Sequence, residues 1–254
     1  MIRTVKSYRI RKYISLFFIS NFIMFLLIEA LTPKSLITKI VVSSDIVTGI
    51  LIILFCKREL REILKEANAR HKNILFLSMF IFGICYSMAM ISLFTLTGMD
   101  KINIEHGEIS YEIAKFVYDH RLLGFITICV IAPIIEEILF RGLIFRGLLY
   151  KNNLITAVFI SSAIFALLHF NLKQAIMAFG EGVFASLIYF YYGSIFLPIA
   201  IHIGHNFASL SIAFLFGTNL NKYFALVILL VSVCVTVINI VVIKRFEKKR
   251  LEVS

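Results

Sequence analysis

The feature that most constrains this chain is a series of apolar runs, each about as long as a bilayer's hydrocarbon core is thick. A membrane-spanning helix needs roughly 20 mostly apolar residues. Such runs fall at 13–31, 37–56, 74–97, 122–150, 154–170, 174–192, 195–216 and 223–243. They predict an all-α, polytopic integral membrane protein of about eight transmembrane helices, a single membrane domain over residues 1–254. Composition agrees: 60% of the residues are hydrophobic and the mean hydropathy is +0.92. A soluble interior of this size cannot hide that much apolar surface. The first run is longer than a signal-peptide core of roughly 7–15 residues, and no small-x-small cleavage site follows it, so it reads as a span.

The basic residues set the expected orientation. With a cytosolic N-terminus, 19 of the 26 Lys and Arg fall on the cytosolic side and 7 on the other. That bias predicts both termini cytosolic. The net charge of +11 therefore lies in short blocks between spans, suited to an anionic inner leaflet, and gives no reason to expect nucleic acid. Residues 57–73 place Leu60, Ile63, Leu64 and Ala67 on one helical face, which reads as a basic amphipathic cytosolic helix on the membrane surface. The acidic stretch from Gly98 to Arg121 reads as an external solvated loop, with a lid or substrate-entry element as the alternative. Cys56, Cys85, Cys129 and Cys234 lie in or beside apolar runs without metal-ligand spacing, and read as small buried residues.

Polar groups inside the spans call for an explanation, because a charge in hydrocarbon costs several kcal/mol, on the order of 3 or more. Five acids qualify: Glu29, Asp45, Glu136, Glu137 and Glu181. Glu29 can reach the interface, and Asp45, being alone, reads as a helix-contact residue. Arg141 follows Glu137 by four residues, the favoured spacing and order for a carboxylate–guanidinium pair. Glu136 points about 100° away. Glu137 is thus expected to be a charge-balanced anchor and Glu136 the reactive carboxylate. Phe165 and His169 share a face, so the phenyl ring can fix the imidazole. His202, His205 and Asn206 crowd one turn of another span, with His202 and Asn206 on one face. Gly180-Glu181-Gly182 is a further polar notch, read as a contact to a neighbouring helix. Glu136 and His169 both lie roughly 21–23 Å from the expected hairpin turn at 151–153, so they can meet at one depth.

Together these residues form a pattern. EExxxR (Glu136, Glu137, Arg141), FxxxH (Phe165, His169) and HxxxN (His202, Asn206), with Gly193-Ser194 ahead of the last, resemble the motif set of the CAAX-protease and bacteriocin-processing family. These are intramembrane peptidases related to the type II CAAX prenyl protease, and the Abi-type membrane proteins are counted among them. The resemblance covers about residues 122–216. It implies an intramembrane endopeptidase acting on peptides or membrane-protein termini. Glu136 would activate water aided by His169, while His202 and Asn206 would hold the oxyanion, with Glu137, Arg141 and Phe165 in support. His205 stands outside that pattern.

A metal stays open. Glu136, His169 and His202 could supply a two-His, one-carboxylate set for zinc, but there is no HExxH, and a metal-free glutamate mechanism is slightly favoured. The abundance of Ile, Lys, Asn and Phe fits an AT-rich bacterial genome and a multi-pass protein of a bacterial plasma membrane. The expected roles are maturation of a bacteriocin or signalling peptide, or self-immunity. The alternative is a non-catalytic scaffold or immunity protein, and a proton-coupled transporter ranks last because no internal repeat is present.

Overall fold

A computed structural model describes residues 13, 15, 19, 47–70, 73–99, 117–169, 172–216 and 220–253. The described residues are helical with short turns, and no strand occurs among them. Seven helices are named here: α1 (Lys57–Arg70), α2 (Asn73–Thr97), α3 (Arg121–Lys151), α4 (Leu154–Leu167), α5 (Leu172–Tyr192), α6 (Phe196–Phe216) and α7 (Lys222–Val253). Five of them, α2, α3, α5, α6 and α7, are long and apolar enough to cross a membrane. These correspond to five of the eight runs. Most of the run at 13–31, the first half of the run at 37–56, and Glu29 and Asp45 lie outside the described residues, as does most of the stretch from Gly98 to Arg121. The run at 154–170 differs from expectation. Its helix is 14 residues long, about 21 Å at 1.5 Å per residue, and stops short of a full crossing.

The chain packs as two compact units, Met1–Arg70 with Ile104–Ile199, and His71–Asn103 with Ala200–Ser254. In the first unit α3 and α4 form a hairpin. Asn152 is extended, and the Asn153 side chain accepts from the Thr156 N–H at 2.9 Å, capping the new helix. α4 then packs along α5. Gly193 ends α5 with φ +68°, a left-handed stop that glycine adopts without a side-chain penalty, and its N–H bonds the Tyr189 carbonyl at 2.8 Å.

α3 is not a uniform α-helix. Residues Thr127–Ile131 and Ile138–Phe145 are wound as π-helix, flanking the α-helical segment Ala132–Glu137. Across the first π stretch the Ala132 N–H bonds the Thr127 carbonyl, five residues back. Pro133 follows at once. Proline lacks an N–H and its ring crowds the preceding turn, so a wider turn there relieves the conflict.

α1 packs on the first unit. Ile63 and Ala67 are buried, whereas Leu64 is 36% exposed. Ile63 settles over Gly142, where a side-chain carbon would come within 2.9 Å of Ile63 Cδ1. The apolar arc of α1 is therefore partly taken up by protein, because protein side chains offer closer packing than the interface. Cys56, Cys85 and Cys129 are buried; Cys234, on α7, is exposed instead, on a helix that also exposes Val227, Leu230 and Val231. Such an apolar exterior is that of a lipid-facing helix.

In the second unit α2 packs along α7, and Asn239 donates to the Ser78 carbonyl at 2.7 Å. α2 also meets the part of α6 beyond Ala200 at very close range. A side-chain carbon on Gly83 would lie 1.9 Å from the Ile201 carbonyl oxygen, and one on Gly204 would lie 2.2 Å from that of Phe80. The two backbones touch where the glycines remove the side chains.

Candidate functional site

Adjacent positions on one helix give the two motif glutamates different surroundings. Glu137 is fully buried and accepts from Arg141 Nη1 at 2.8 Å. Glu136, about 100° around the helix, is half-buried. Arg141 has no exposed surface, and its guanidinium carbon stands 4.5 Å from the centre of the Phe165 ring on α4, within cation–π range. Phe165 in turn packs against Phe140, centroids 5.0 Å apart, and Ser161 Oγ donates to the Phe140 carbonyl at 3.2 Å. On the α5 side, a side-chain carbon at Gly182 would come within 3.0 Å of both Arg141 Nη2 and Ser162 Oγ. Glycine at 182 thus leaves the guanidinium its room.

Glu181 belongs to the same cluster. It is 2% exposed, and one of its carboxylate oxygens lies within 4.8 Å of one of Glu137. The signal in the sequence was a glutamate between two glycines; what it met could not be read there. Two buried carboxylates at this range could contribute oxygens to a hard cation, while Arg141 supplies a positive charge beside them. The acids of this pair are Glu137 and Glu181, whereas the resemblance-based zinc set has Glu136.

His169 sits two residues beyond the end of α4, in a turn, with its N–H on the Ala166 carbonyl at 3.2 Å. Its Nδ1 is 3.1 Å from the Phe165 carbonyl oxygen. A carbonyl can only accept, so Nδ1 carries the hydrogen of this bond. The same bond satisfies one of the four carbonyls that a helix end leaves without helical partners. The Phe165 ring meets the imidazole edge-on, centroids 5.0 Å apart and planes at 84°. Helix end, hydrogen bond and ring contact together fix the orientation of the imidazole.

The HxxxN stretch belongs to the second unit. His202 is 4% and His205 8% exposed, and Asn206 is half-buried. The His202 and His205 rings are 6.5 Å apart. His205 also meets Tyr86 of α2 at 5.8 Å, Phe207 meets Phe80 at 6.1 Å, and Ser87 and Ser209 share a hydrogen bond of 2.7 Å. With the Gly83 and Gly204 contacts, α2 therefore forms a seat for the turn bearing His202 and Asn206. No motif marks these α2 residues, since small residues in an apolar run leave no signature in the sequence. Glu136, Glu137, Arg141, Phe165, His169 and Glu181 lie in the first unit, and His202, His205 and Asn206 in the second.

Residues 119–208 match the family model described as type II CAAX prenyl endopeptidase Rce1-like. The match spans all three motifs and bears out the resemblance they carry. No curated protein and no solved structure matches the chain.

Proposed function

From the peptidase-family match over residues 119–208, we propose that the chain is an intramembrane endopeptidase in which Glu136, His169, His202 and Asn206 act together. Glu136 takes a proton from water, and the hydroxide forms a bond to the scissile carbonyl carbon. The C–N bond then breaks and Glu136 returns the proton to the leaving amine, giving a carboxylic acid and an amine. His169, its Nδ1 hydrogen committed to the Phe165 carbonyl, presents Nε2 as the acceptor that orients the water. His202 and Asn206 donate N–H groups to the oxyanion, where donors in a dry site act most strongly.

The observation that carries this reading is the short helix α4. It ends about 21 Å from its hairpin turn, and places His169 in non-helical backbone within an otherwise apolar segment. Such backbone at membrane depth is tolerated where protein surrounds it or where it lines a water-filled cavity. A hydrolase needs water at that place.

A bound zinc would supply Lewis-acid polarisation of the carbonyl, with Glu136, His169 and His202 as its ligands. The metal-free route is favoured here, because the sequence carries no HExxH of the kind that commits such residues to zinc. The substrates are peptides or membrane-protein termini, in a bacterial plasma membrane with both termini of the chain inside. Maturation of a bacteriocin or signalling peptide, or self-immunity, fits best. The test compares cells carrying the native chain with cells carrying Glu136→Ala at equal membrane levels, reading released and membrane-retained peptides by mass spectrometry. Mature ends that appear only with the native chain support the proposal. Identical profiles with an intact immunity phenotype favour the scaffold alternative.

A further inference from the structure

α1 carries five basic and three acidic residues in KRELREILKEANAR, so both signs occur on one short helix. The structure separates the two signs. At 100° per residue, Glu59, Glu62 and Glu66 share the inward arc with Ile63 and Ala67. Two of the acids have partners beyond α1, and the third pairs with a residue of α1 itself. Glu59 accepts from Tyr13 at 3.1 Å, Glu66 from the buried Arg146 at 3.2 Å, and Glu62 from Arg58 at 3.3 Å. Arg146 is gripped further by Tyr189 of α5, at 3.3 Å, so the roll of α1 about its own axis is fixed.

What remains outward is an arc of roughly 120° holding Lys57, Arg58, Arg61, Leu64, Lys65 and Asn68, all exposed, with no acid among them. Its surroundings are lipid-facing. The helical residues just before α1 expose Ile50, Ile53, Leu54 and Phe55 by 50–66%. The basic arc therefore begins where apolar, lipid-facing helix meets the interface.

We propose that this outward face of α1 binds the anionic headgroups of the leaflet it borders, through charge and with little insertion. Ile63 and Ala67, which an inserted amphipathic helix would turn to the acyl chains, are already buried in protein. Leu64 is left as the apolar contact amid the basic residues. The inference is independent of the peptidase reading.

The chain contains no tryptophan, so Leu64→Trp provides a single reporter on this face. The full-length variant is reconstituted in vesicles of phosphatidylcholine and phosphatidylglycerol, with bromine quenchers on one lipid or the other. Quenching by the brominated anionic lipid is expected to exceed that by the zwitterionic one. Lys57→Gln/Arg61→Gln/Lys65→Gln is expected to lower the preference at least about fivefold, since each basic side chain near an anionic surface contributes about that factor. Raising sodium chloride must reduce it in the unsubstituted background too, which tests the proposal even if the triple variant fails to fold. Equal quenching by the two lipids overturns the proposal, as does a preference that survives both salt and the triple substitution. Loss of the preference on adding inorganic phosphate, where chloride of matched ionic strength has no such effect, would instead reveal a site for a free anion and also overturn it.

Discussion

Gly204→Ala tests how the HxxxN stretch is held. The added carbon would lie 2.2 Å from the Phe80 carbonyl oxygen, whereas a carbon rests against a carbonyl oxygen at about 3.3–3.6 Å. The helices must part by about 1 Å, and no rotamer change can help, because the obstacle is backbone. Overpacking of this kind costs typically about 1–3 kcal/mol. At about 2–4 °C per kcal/mol for a chain of this size, the melting temperature should fall by about 2–12 °C. On the proposed function, a shift of that size in His202 and Asn206 should also cost about 10²-fold in rate. Gly142→Ala is the control. Its added carbon meets Ile63 Cδ1 at 2.9 Å, the end of a flexible side chain, so its effect should be smaller. Thermal unfolding in detergent and peptide hydrolysis in vesicles read the two quantities. A Gly204→Ala protein with native melting temperature and native rate would refute the reasoning, as would equal damage from the two substitutions.

Three further outcomes follow from the geometry. Arg141→Leu strands Glu137 in the interior and should destabilise by about 3–5 kcal/mol, whereas Glu137→Leu/Arg141→Leu should recover part of that; unfolding of both variants measures it. Asn206→Ala should lower kcat by about 10²–10³-fold and His169→Gln by about 10²–10⁴-fold, with little change in melting temperature, which paired kinetic and thermal measurements check. Glu66→Gln weakens the grip of Arg146 on α1, so hydrogen exchange should quicken across Lys57–Arg70 while the amides of α5 keep their protection.

What could be read from the sequence was local. Glu137 with Arg141 and Phe165 with His169 are one helical turn apart, so a fixed period predicts their contact, and the structure forms both. The apolar runs likewise follow from length alone, and five appear as membrane-length helices. What the sequence concealed depends on neighbours distant along the chain or on departures from the regular helix. Glu181 meets Glu137 across two helices, and no spacing rule reaches that far. The π turns around Pro133 and Arg141 break the 3.6-residue period. α4 stops at Leu167 without the glycine or proline that would announce it. The seat formed by Gly83, Tyr86 and Ser87 lies in a span with no motif, outside the matched residues 119–208. The split of charge on α1 depends on Tyr13 and Arg146, residues that α1's own composition does not include.

The most direct test of the peptidase reading is hydrolysis in ¹⁸O-labelled water. Purified native chain and Glu136→Gln, both reconstituted in vesicles, are given a peptide that native cells process, and the new C-terminus is weighed by mass spectrometry. The account predicts one ¹⁸O in that carboxylate with the native chain and no product with Glu136→Gln. Equal, labelled product from both proteins would contradict the role of Glu136, and no product from either would contradict the peptidase reading itself.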